Sequence, residues 1–193
     1  AAAHPAGAPG GVGQLAAAAA RGAADRTDRQ NIRLDGSRVE DVPEIWRRLE
    51  SVDLSTTEAG GDVPRVILGS PAAGIAKDEI IDPTPLIHEL AERFIGDPEL
   101  ANLPRKFKTA ITGHPSQDVV HEINDVALVG LVHPELGIGY DLWVGGALST
   151  NPMLGKRRGA FVRPDQARGG WLGVRSILRA SGSCRGATTA RLN

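Results

Sequence analysis

The chain has 193 residues, of which 41% are hydrophobic and 23% are charged, so it is long enough for a buried core and too apolar for a disordered protein. Its single cysteine excludes an internal disulfide and a site with four thiolate ligands made by this chain alone. The net charge of −1 is unevenly distributed. Residues 1–154 carry 13 basic and 22 acidic side chains, whereas residues 155–193 carry 9 basic ones and a single acid, Asp165. This change in charge predicts either a basic arm or a segment whose evolutionary origin differs from that of the rest of the chain.

The first part of the sequence carries no targeting or membrane signal. Its longest apolar run, residues 15–20, is mostly alanine and too short to span a bilayer. A charged region followed by an apolar one and a cleavage site is also missing, so we expect a cytoplasmic protein without a membrane span. Residues 1–27 are rich in alanine without an apolar stripe, and we expect them to be a disordered leader.

Helical periodicity is present in two segments before residue 100. Asp41, followed by Pro43 and Glu44, has the pattern of a helix start with a capping box, and apolar residues recur at helical spacing up to position 52. A second helix is predicted from Asp82 up to a stop at Gly96. Between them, residues 65–68 are predicted to form a short strand because glycine and proline bound an apolar run.

From residue 103 the apolar spacing changes to the period of two that is typical of strands. Strands are predicted at residues 105–111, 125–132 and 138–144, the last two forming an antiparallel hairpin through the turn at 133–137. Beyond Gly155 the pattern weakens, although residues 171–178 can form a short helix. The order of elements predicts an α+β fold with helices on a mixed, largely antiparallel sheet.

Cationic side chains are the strongest chemical signal in the sequence. Lys106 and Lys108 lie two positions apart on a predicted strand, so their side chains share one face, about 7 Å apart. An anion between them would turn their repulsion into attraction, although an ordinary solvated strand face is the alternative. Arg65 and Arg29 carry guanidinium forks suited to oxyanions and can line the same anion site.

Other motifs give weaker signals. Gly145 and Gly146 follow a predicted strand and would let the backbone approach a flat ligand or a phosphate, but they match no nucleotide-binding fingerprint. The five histidines have no metal-ligand spacing, so we expect no metal site made by side chains of this chain. The basic end of the chain leaves nucleic-acid binding as a minor alternative without a recognition motif, and we expect no nucleic-acid partner.

Taken together in chain order, several segments resemble the N-terminal, siroheme-binding half of the ferredoxin-dependent sulfite and nitrite reductases. The strongest is Leu-Pro-Arg-Lys-Phe-Lys-Thr at residues 103–109, followed by Leu-Trp-Val-Gly-Gly-Ala-Leu-Ser at 142–149. The others are Asp-Arg-Gln-Asn at 28–31, Val-Pro-Glu-Ile-Trp at 42–46, Gly-Asp-Val-Pro-Arg at 61–65, Gly-Ser-Pro at 69–71 and Ile-Asn-Asp-Val at 123–126. The resemblance as a whole runs from about residue 25 to 163.

The resemblance implies a six-electron reduction of sulfite to sulfide or of nitrite to ammonia, with ferredoxin as electron donor. It implies that the anion binds the iron of siroheme, which a cysteine thiolate bridges to a [4Fe–4S] cluster. By the same resemblance, the substrate-side cations are Arg29, Arg65, Lys106 and Lys108. The cofactor-side residues are Arg105, Asn124, Gly145 and Gly146.

The resemblance also implies a domain organisation and shows where this chain departs from the family. Residues 28–163 would form the siroheme-binding half, with a ferredoxin-like half-domain up to about residue 58 and a catalytic lobe after it. Residues 164–193 would be a basic tail whose sequence has diverged from the family, either by gradual loss of similarity or by a change of reading frame. The family's cluster cysteines lie in a C-terminal half that this sequence lacks, and Cys184 cannot replace them.

Three hypotheses about function follow. The first is a fragment of a sulfite or nitrite reductase that supplies the anion-binding residues, needs its missing half as a partner and does not turn over alone. The second is a non-catalytic siroheme- or oxyanion-binding protein, or a degenerate remnant. The third is a nucleic-acid-binding module that uses the basic tail. The sequence does not choose between sulfite and nitrite, because both anions need the same cations.

Overall fold

A computed structural model describes residues 8–115, 118–148 and 152–181. The chain divides into two compact units, one up to Thr57 and one from Glu58 onward. This division falls close to residue 58, where the sequence placed the end of a ferredoxin-like half-domain. The identity of the first unit as such a half-domain stays a prediction.

The N-terminal unit contains two helices and a two-stranded antiparallel sheet. Its elements are α1 (Ala8–Ala19), β1 (Asp25–Arg26), β2 (Ile32–Arg33) and α2 (Val42–Glu50). Helix α1 corrects the expectation of a disordered leader, because Leu15, Ala16 and Ala20 are buried. Alanine has the highest intrinsic helix propensity, and Val12, Leu15 and Ala16 lie at helical spacing on one side. Residues 1–7 lie outside the described residues.

Helix α2 begins at the predicted place but without the predicted cap. The side chain of Asp41 caps no backbone N–H of the helix. Its carboxylate instead accepts hydrogen bonds from the guanidinium of Arg38, at 3.0 and 3.1 Å. That hydrogen bonding holds the pKa of Asp41 below its usual value. The predicted proline lies in the first turn of the helix. It is tolerated there because the first N–H groups of a helix have no acceptor within the helix, so the N–H that proline lacks costs no hydrogen bond.

The larger unit is built on a mixed five-stranded sheet with the strand order β3-β4-β5-β6-β7. The strands are β3 (Pro64–Gly69), β4 (Phe107–Thr112), β5 (Val126–His133), β6 (Gly137–Val144) and β7 (Lys156–Val162). β3, β4 and β5 pair in parallel, whereas β5–β6 and β6–β7 pair antiparallel. The α+β fold with a mixed sheet is therefore confirmed, as is the β5–β6 hairpin.

One face of this sheet carries the main core. Helices α3 (Thr84–Phe94) and α4 (Ala167–Ser181) contribute to it, and alternate strand residues such as Phe107, Ile111, Leu128 and Tyr140 point into it. The opposite face has a smaller cluster in which Ala110 and Ala127 are neighbours across the β4–β5 pair. Lys108, two residues before Ala110 on β4, lies on this second face.

Helix α4 contains residues 171–178, where the sequence predicted a short helix, and it packs on the sheet. Trp171 is 1% exposed, stacks on Phe94 with ring centroids 5.3 Å apart, and meets Phe107 edge-on. Its indole N–H donates a hydrogen bond of 2.9 Å to the hydroxyl of Thr109 on β4. Helix α4 thus contributes to the core up to Leu178, while residues 182–193 lie outside the described residues. Within the part of the chain that the structure describes, no helix is long and apolar enough to cross a membrane.

The position of Trp171 generates a stability prediction. Trp171→Ala is expected to lower the free energy of unfolding by about 3 to 5 kcal/mol, because it removes a buried indole and leaves a cavity. Ile177→Ala on the same helix is the control. Ile177 is 55% exposed, and its truncation should cost about 0.5 kcal/mol. Urea denaturation followed by circular dichroism measures both, and equal losses would contradict the packing of α4 on the sheet.

Candidate functional site

Two of the segments that carry candidate cations, residues 61–65 and 103–109, lie side by side where β3 and β4 begin. The backbone N–H of Leu103 donates to the carbonyl of Asp62 at 2.8 Å, and that of Phe107 donates to the carbonyl of Val63 at 3.0 Å. The parallel register then places Pro64 opposite Phe107. The cation-rich segment 103–109 is therefore hydrogen-bonded along the segment that leads into Arg65.

A β-bulge brings Arg65 to the register position of Lys108. Between the paired positions Pro64–Phe107 and Ile67–Thr109, β3 has one residue more than β4. Arg65 and its neighbour Val66 thus occupy the place opposite Lys108, and bulges of this kind redirect side chains. The guanidinium of Arg65 donates to the carbonyl of Gly61 at 3.0 Å, which holds its side chain over the preceding loop.

Lys108 forms a buried ion pair with Asp125. Lys108 is 7% exposed and Asp125 is 5% exposed. One carboxylate oxygen of Asp125 accepts a hydrogen bond from the backbone N–H of Lys108 at 2.9 Å and contacts its ammonium group as well. Because a buried charge is costly without a partner, this pairing lets a lysine lie inside the sheet. It also means that Asp125 balances the charge of Lys108.

Lys106 and Arg105 differ from Lys108 in their surroundings. Both precede the first residue of β4, where Lys106 is exposed and Arg105 is half-buried. The sequence predicted that the side chains of Lys106 and Lys108 share one face of a strand. That prediction is only partly met, because the strand begins after Lys106 and only Lys108 is buried within the sheet.

Arg29 belongs to the N-terminal unit. It lies half-buried in the turn between β1 and β2. The turn is closed by hydrogen bonds between Thr27 and Asn31, and Gln30 adopts a positive φ of 60°. Its place in the anion site with the cations of the larger unit stays a prediction.

The residues predicted to lie near a cofactor have clear roles in the fold. Asn124 is fully buried, and its side-chain amide donates to the carbonyls of Val120 and His121 at 3.1 and 3.4 Å. A Cβ on Gly146 would overlap the carbonyl oxygen of Glu122, and Gly145 adopts a φ of +87°. These glycines therefore let the loop after β6 pass close to the backbone of residues 122–124.

Asp125 is the functional residue that site prediction from the sequence missed. Its signal was present, since it stands immediately before a buried strand and an acid there needs a cationic partner. Its distance of 17 residues from Lys108 hid the pairing, which only the parallel β4–β5 register reveals. Among residues 8–115, 118–148 and 152–181, no group of three or more His, Cys, Asp or Glu side chains is placed to hold a metal ion.

Comparison with known proteins places this site in a family context. Residues 60–191 match the family described as "Nitrite and sulphite reductase 4Fe-4S domain". The chain is 55% identical over 181 residues to "Sulfite reductase [ferredoxin]" of Mycobacterium tuberculosis strain H37Rv, covering 94% of this chain and 32% of that protein. It is 42% identical over 133 residues to "Ferredoxin--nitrite reductase" of Leptolyngbya laminosa, covering 67% of this chain and 26% of that protein.

Solved structures agree with these matches. The NirA protein of Mycobacterium tuberculosis superposes with a TM-score of 0.89 and 54% identity, over 97% of this chain and 34% of that one. Dissimilatory sulfite reductase I shares the fold, with a TM-score of 0.70 at 12% identity over 90% of this chain and 58% of that one. The family match extends to residue 191, beyond residue 163 where the resembling segments ended. The chain spans about a third of the length of the first curated relatives that it matches.

The buried ion pair generates a second prediction. Asp125→Asn is expected to destabilise the fold by about 3 to 5 kcal/mol, because it leaves the ammonium of Lys108 buried without a counter-charge. The double variant with Lys108→Met should recover part of that loss, since Asn can still accept from the backbone N–H. Denaturant unfolding of the single and double variants measures the coupling.

Asp165→Asn is the matched control for Asp125→Asn. Its partner Arg163, at 3.1 Å, is exposed, so this substitution should cost less than about 1 kcal/mol. If the two Asp→Asn variants lost the same stability, the buried Lys108–Asp125 pair would contribute no more to the free energy of unfolding than the exposed Arg163–Asp165 pair.

The loop after β6 generates a third prediction. Gly146→Ala should destabilise the protein by about 1 to 3 kcal/mol, because its methyl group would force the carbonyls of residues 122 and 124 away. Gly170→Ala on helix α4 is the control, since a Cβ there makes an ordinary contact of 3.6 Å with the side chain of Val162 on β7. That control should stabilise the helix by up to about 1 kcal/mol. Thermal unfolding compares the two variants, and a neutral Gly146→Ala would contradict the close approach.

Proposed function

Since the chain belongs to the nitrite and sulphite reductase 4Fe-4S domain family, we propose that it forms the anion-binding third of an assimilatory sulfite or nitrite reductase. The reaction is the six-electron reduction of sulfite to sulfide or of nitrite to ammonia, with electrons from ferredoxin. The observation that supports it most is the meeting of the Arg65 and Lys108 segments through parallel strand pairing. The names of the relatives, which include both a sulfite and a nitrite reductase, support the substrate class.

In this proposal the cations of the larger unit hold the anion by charge-assisted hydrogen bonds. Asp125 balances the charge of Lys108, and the other cations proposed for anion binding in the larger unit are Arg65 and exposed Lys106. Lys108 contributes a positioned ammonium whose orientation Asp125 fixes.

The same residues meet the proton demand of the reaction. Removing oxygen from sulfite or nitrite consumes protons at each step, so donors must lie next to the anion. Lys106 and Lys108 each hold protons on Nζ that can move to a substrate oxygen. The Asp125 carboxylate contacts the ammonium group of Lys108 and so fixes its position. Exposed Lys106 can be reprotonated from solvent.

The donor set fits siroheme, a group with many carboxylates, at the same end of the sheet. When bound, siroheme supplies the iron that holds the anion and passes electrons to it. Arg105 is the residue of this chain proposed to bind its carboxylates. Asn124, Gly145 and Gly146 would act by shaping the neighbouring backbone, since their polar atoms and close contacts serve the fold.

The [4Fe–4S] cluster does not fit the residues of this chain. Such a cluster needs four thiolates, and the sequence contains Cys184 alone. We therefore propose that the cluster ligands come from the remaining two thirds of the reductase, which acts as the partner of this chain.

The first test is an absorption spectrum with iron analysis of the chain purified from a host that makes siroheme. We expect a Soret band with one iron per chain and a band shift on adding sulfite or nitrite. Lys106→Met should weaken the anion affinity about tenfold, the effect of one charge-assisted hydrogen bond. Lys77→Met, which removes an exposed lysine in the loop after β3, should leave the affinity unchanged.

Two results would count against the proposal. A colourless protein would show that this chain alone does not hold siroheme. Equal weakening in Lys106→Met and Lys77→Met would show that only general charge, and not this end of the sheet, attracts the anion.

A further inference from the structure

A second cationic site lies between helix α4 and the segment that follows α3. Arg175 and Arg179 are four residues apart on α4, so they lie on the same side of the helix. Both guanidinium groups donate to one acceptor, the backbone carbonyl of Glu99, at 2.9 and 3.2 Å. Two positive groups therefore converge on one neutral oxygen atom.

Arg175 is unusually placed for such a charge. It is only 5% exposed, and its Nε–H is buried without a hydrogen-bond partner. Burial and the repulsion from Arg179 lower the pKa of Arg175 from its ordinary value. An unpaired donor on a buried cation costs free energy, so a ligand that supplies negative charge would stabilise this arrangement.

The local acids compensate this charge incompletely. Asp97 is the acid whose charge favours protonated Arg175, but one of its carboxylate oxygens accepts the backbone N–H of Glu99 at 2.9 Å. The Glu99 side chain is exposed, and within the described part of the chain no ion pair joins a carboxylate to either arginine. No Asp or Glu follows Asp165 in the sequence, so the last segment brings no acidic side chain.

We propose that Arg175 and Arg179 form a binding site for a free tetrahedral oxyanion of the phosphate and sulfate class. Guanidinium forks match the oxygens of such an anion. The anion offers several oxygens as acceptors for the two guanidinium groups, whereas the Glu99 carbonyl offers one. The anion enters from the side of exposed Arg179 and turns the repulsion between the arginines into attraction. This site uses none of Arg65, Lys106 and Lys108, and the inference does not depend on the function proposed for them.

The test is NMR spectroscopy of the whole chain labelled with ¹⁵N-arginine. Inorganic phosphate replaces chloride at constant ionic strength while the Nε–H signals of the arginines are followed, and sulfate is the second probe. We expect saturable shifts at Arg175 and Arg179. Arg179→Gln should weaken binding about tenfold, the effect of one charge-assisted hydrogen bond.

Two control variants locate the site. Arg168→Gln removes the same charge from the same helix, but its guanidinium pairs with Glu89 at 2.8 Å, so binding should be unchanged. Lys106→Met should also leave phosphate binding unchanged, which separates this site from the proposed substrate site. Shifts that do not saturate, or equal weakening by Arg168→Gln and Arg179→Gln, would overturn the proposal.

Discussion

The buried pair of Lys108 and Asp125 is the interaction on which the larger unit depends. It joins a residue within β4 to the residue immediately before β5, at the end of the sheet where the three parallel strands begin. A shift of β5 by one residue would move Asp125 to the opposite face and leave both charges buried without a partner. The pair thus specifies the register of the parallel strands as well as satisfying two charges.

The candidate site follows from that register. The β3–β4 pairing brings the segment before Arg65 beside Lys106, and the bulge in β3 puts Arg65 opposite Lys108. The loop before β5 then runs against Gly145 and Gly146, whose lack of side chains permits the contact. Cations from separate segments are collected at one end of the sheet, while the opposite ends of these strands lead into other loops. Anion binding at this end is the function that such a collection supports.

The sequence predicted the elements whose patterns are local. The β5–β6 hairpin and both predicted helices before residue 100 have clear apolar spacing, and the structure places them within a few residues of the expected bounds. Strand β7 was missed because its first residues, Lys156 to Arg158, are all exposed and show no alternation. Helix α1 was missed because its apolar side consists of only three buried residues, which do not stand out in a segment made mostly of alanine and glycine.

The parts of the site that depend on distant contacts could not be predicted in the same way. The cations were found because their residue types carry the chemistry. The pairing of Lys108 with Asp125 was not, since it arises from strand register across 17 residues. The glycines were singled out because they would let the backbone approach a flat ligand or a phosphate, and their role toward a cofactor stays a prediction. The structure shows the backbone of Glu122 lying close to Gly146.

Reconstitution with the missing part tests the central claim most directly. The chain is co-produced with the remaining two thirds of the Mycobacterium tuberculosis sulfite reductase, and the products formed from sulfite and from nitrite are followed with reduced ferredoxin as donor. Our account predicts sulfide or ammonia only when both parts are present, with activity lost in Arg65→Gln and retained in Lys77→Met. An assembled, siroheme-loaded complex that reduces neither anion, or one that works equally well with Arg65→Gln, would contradict the account.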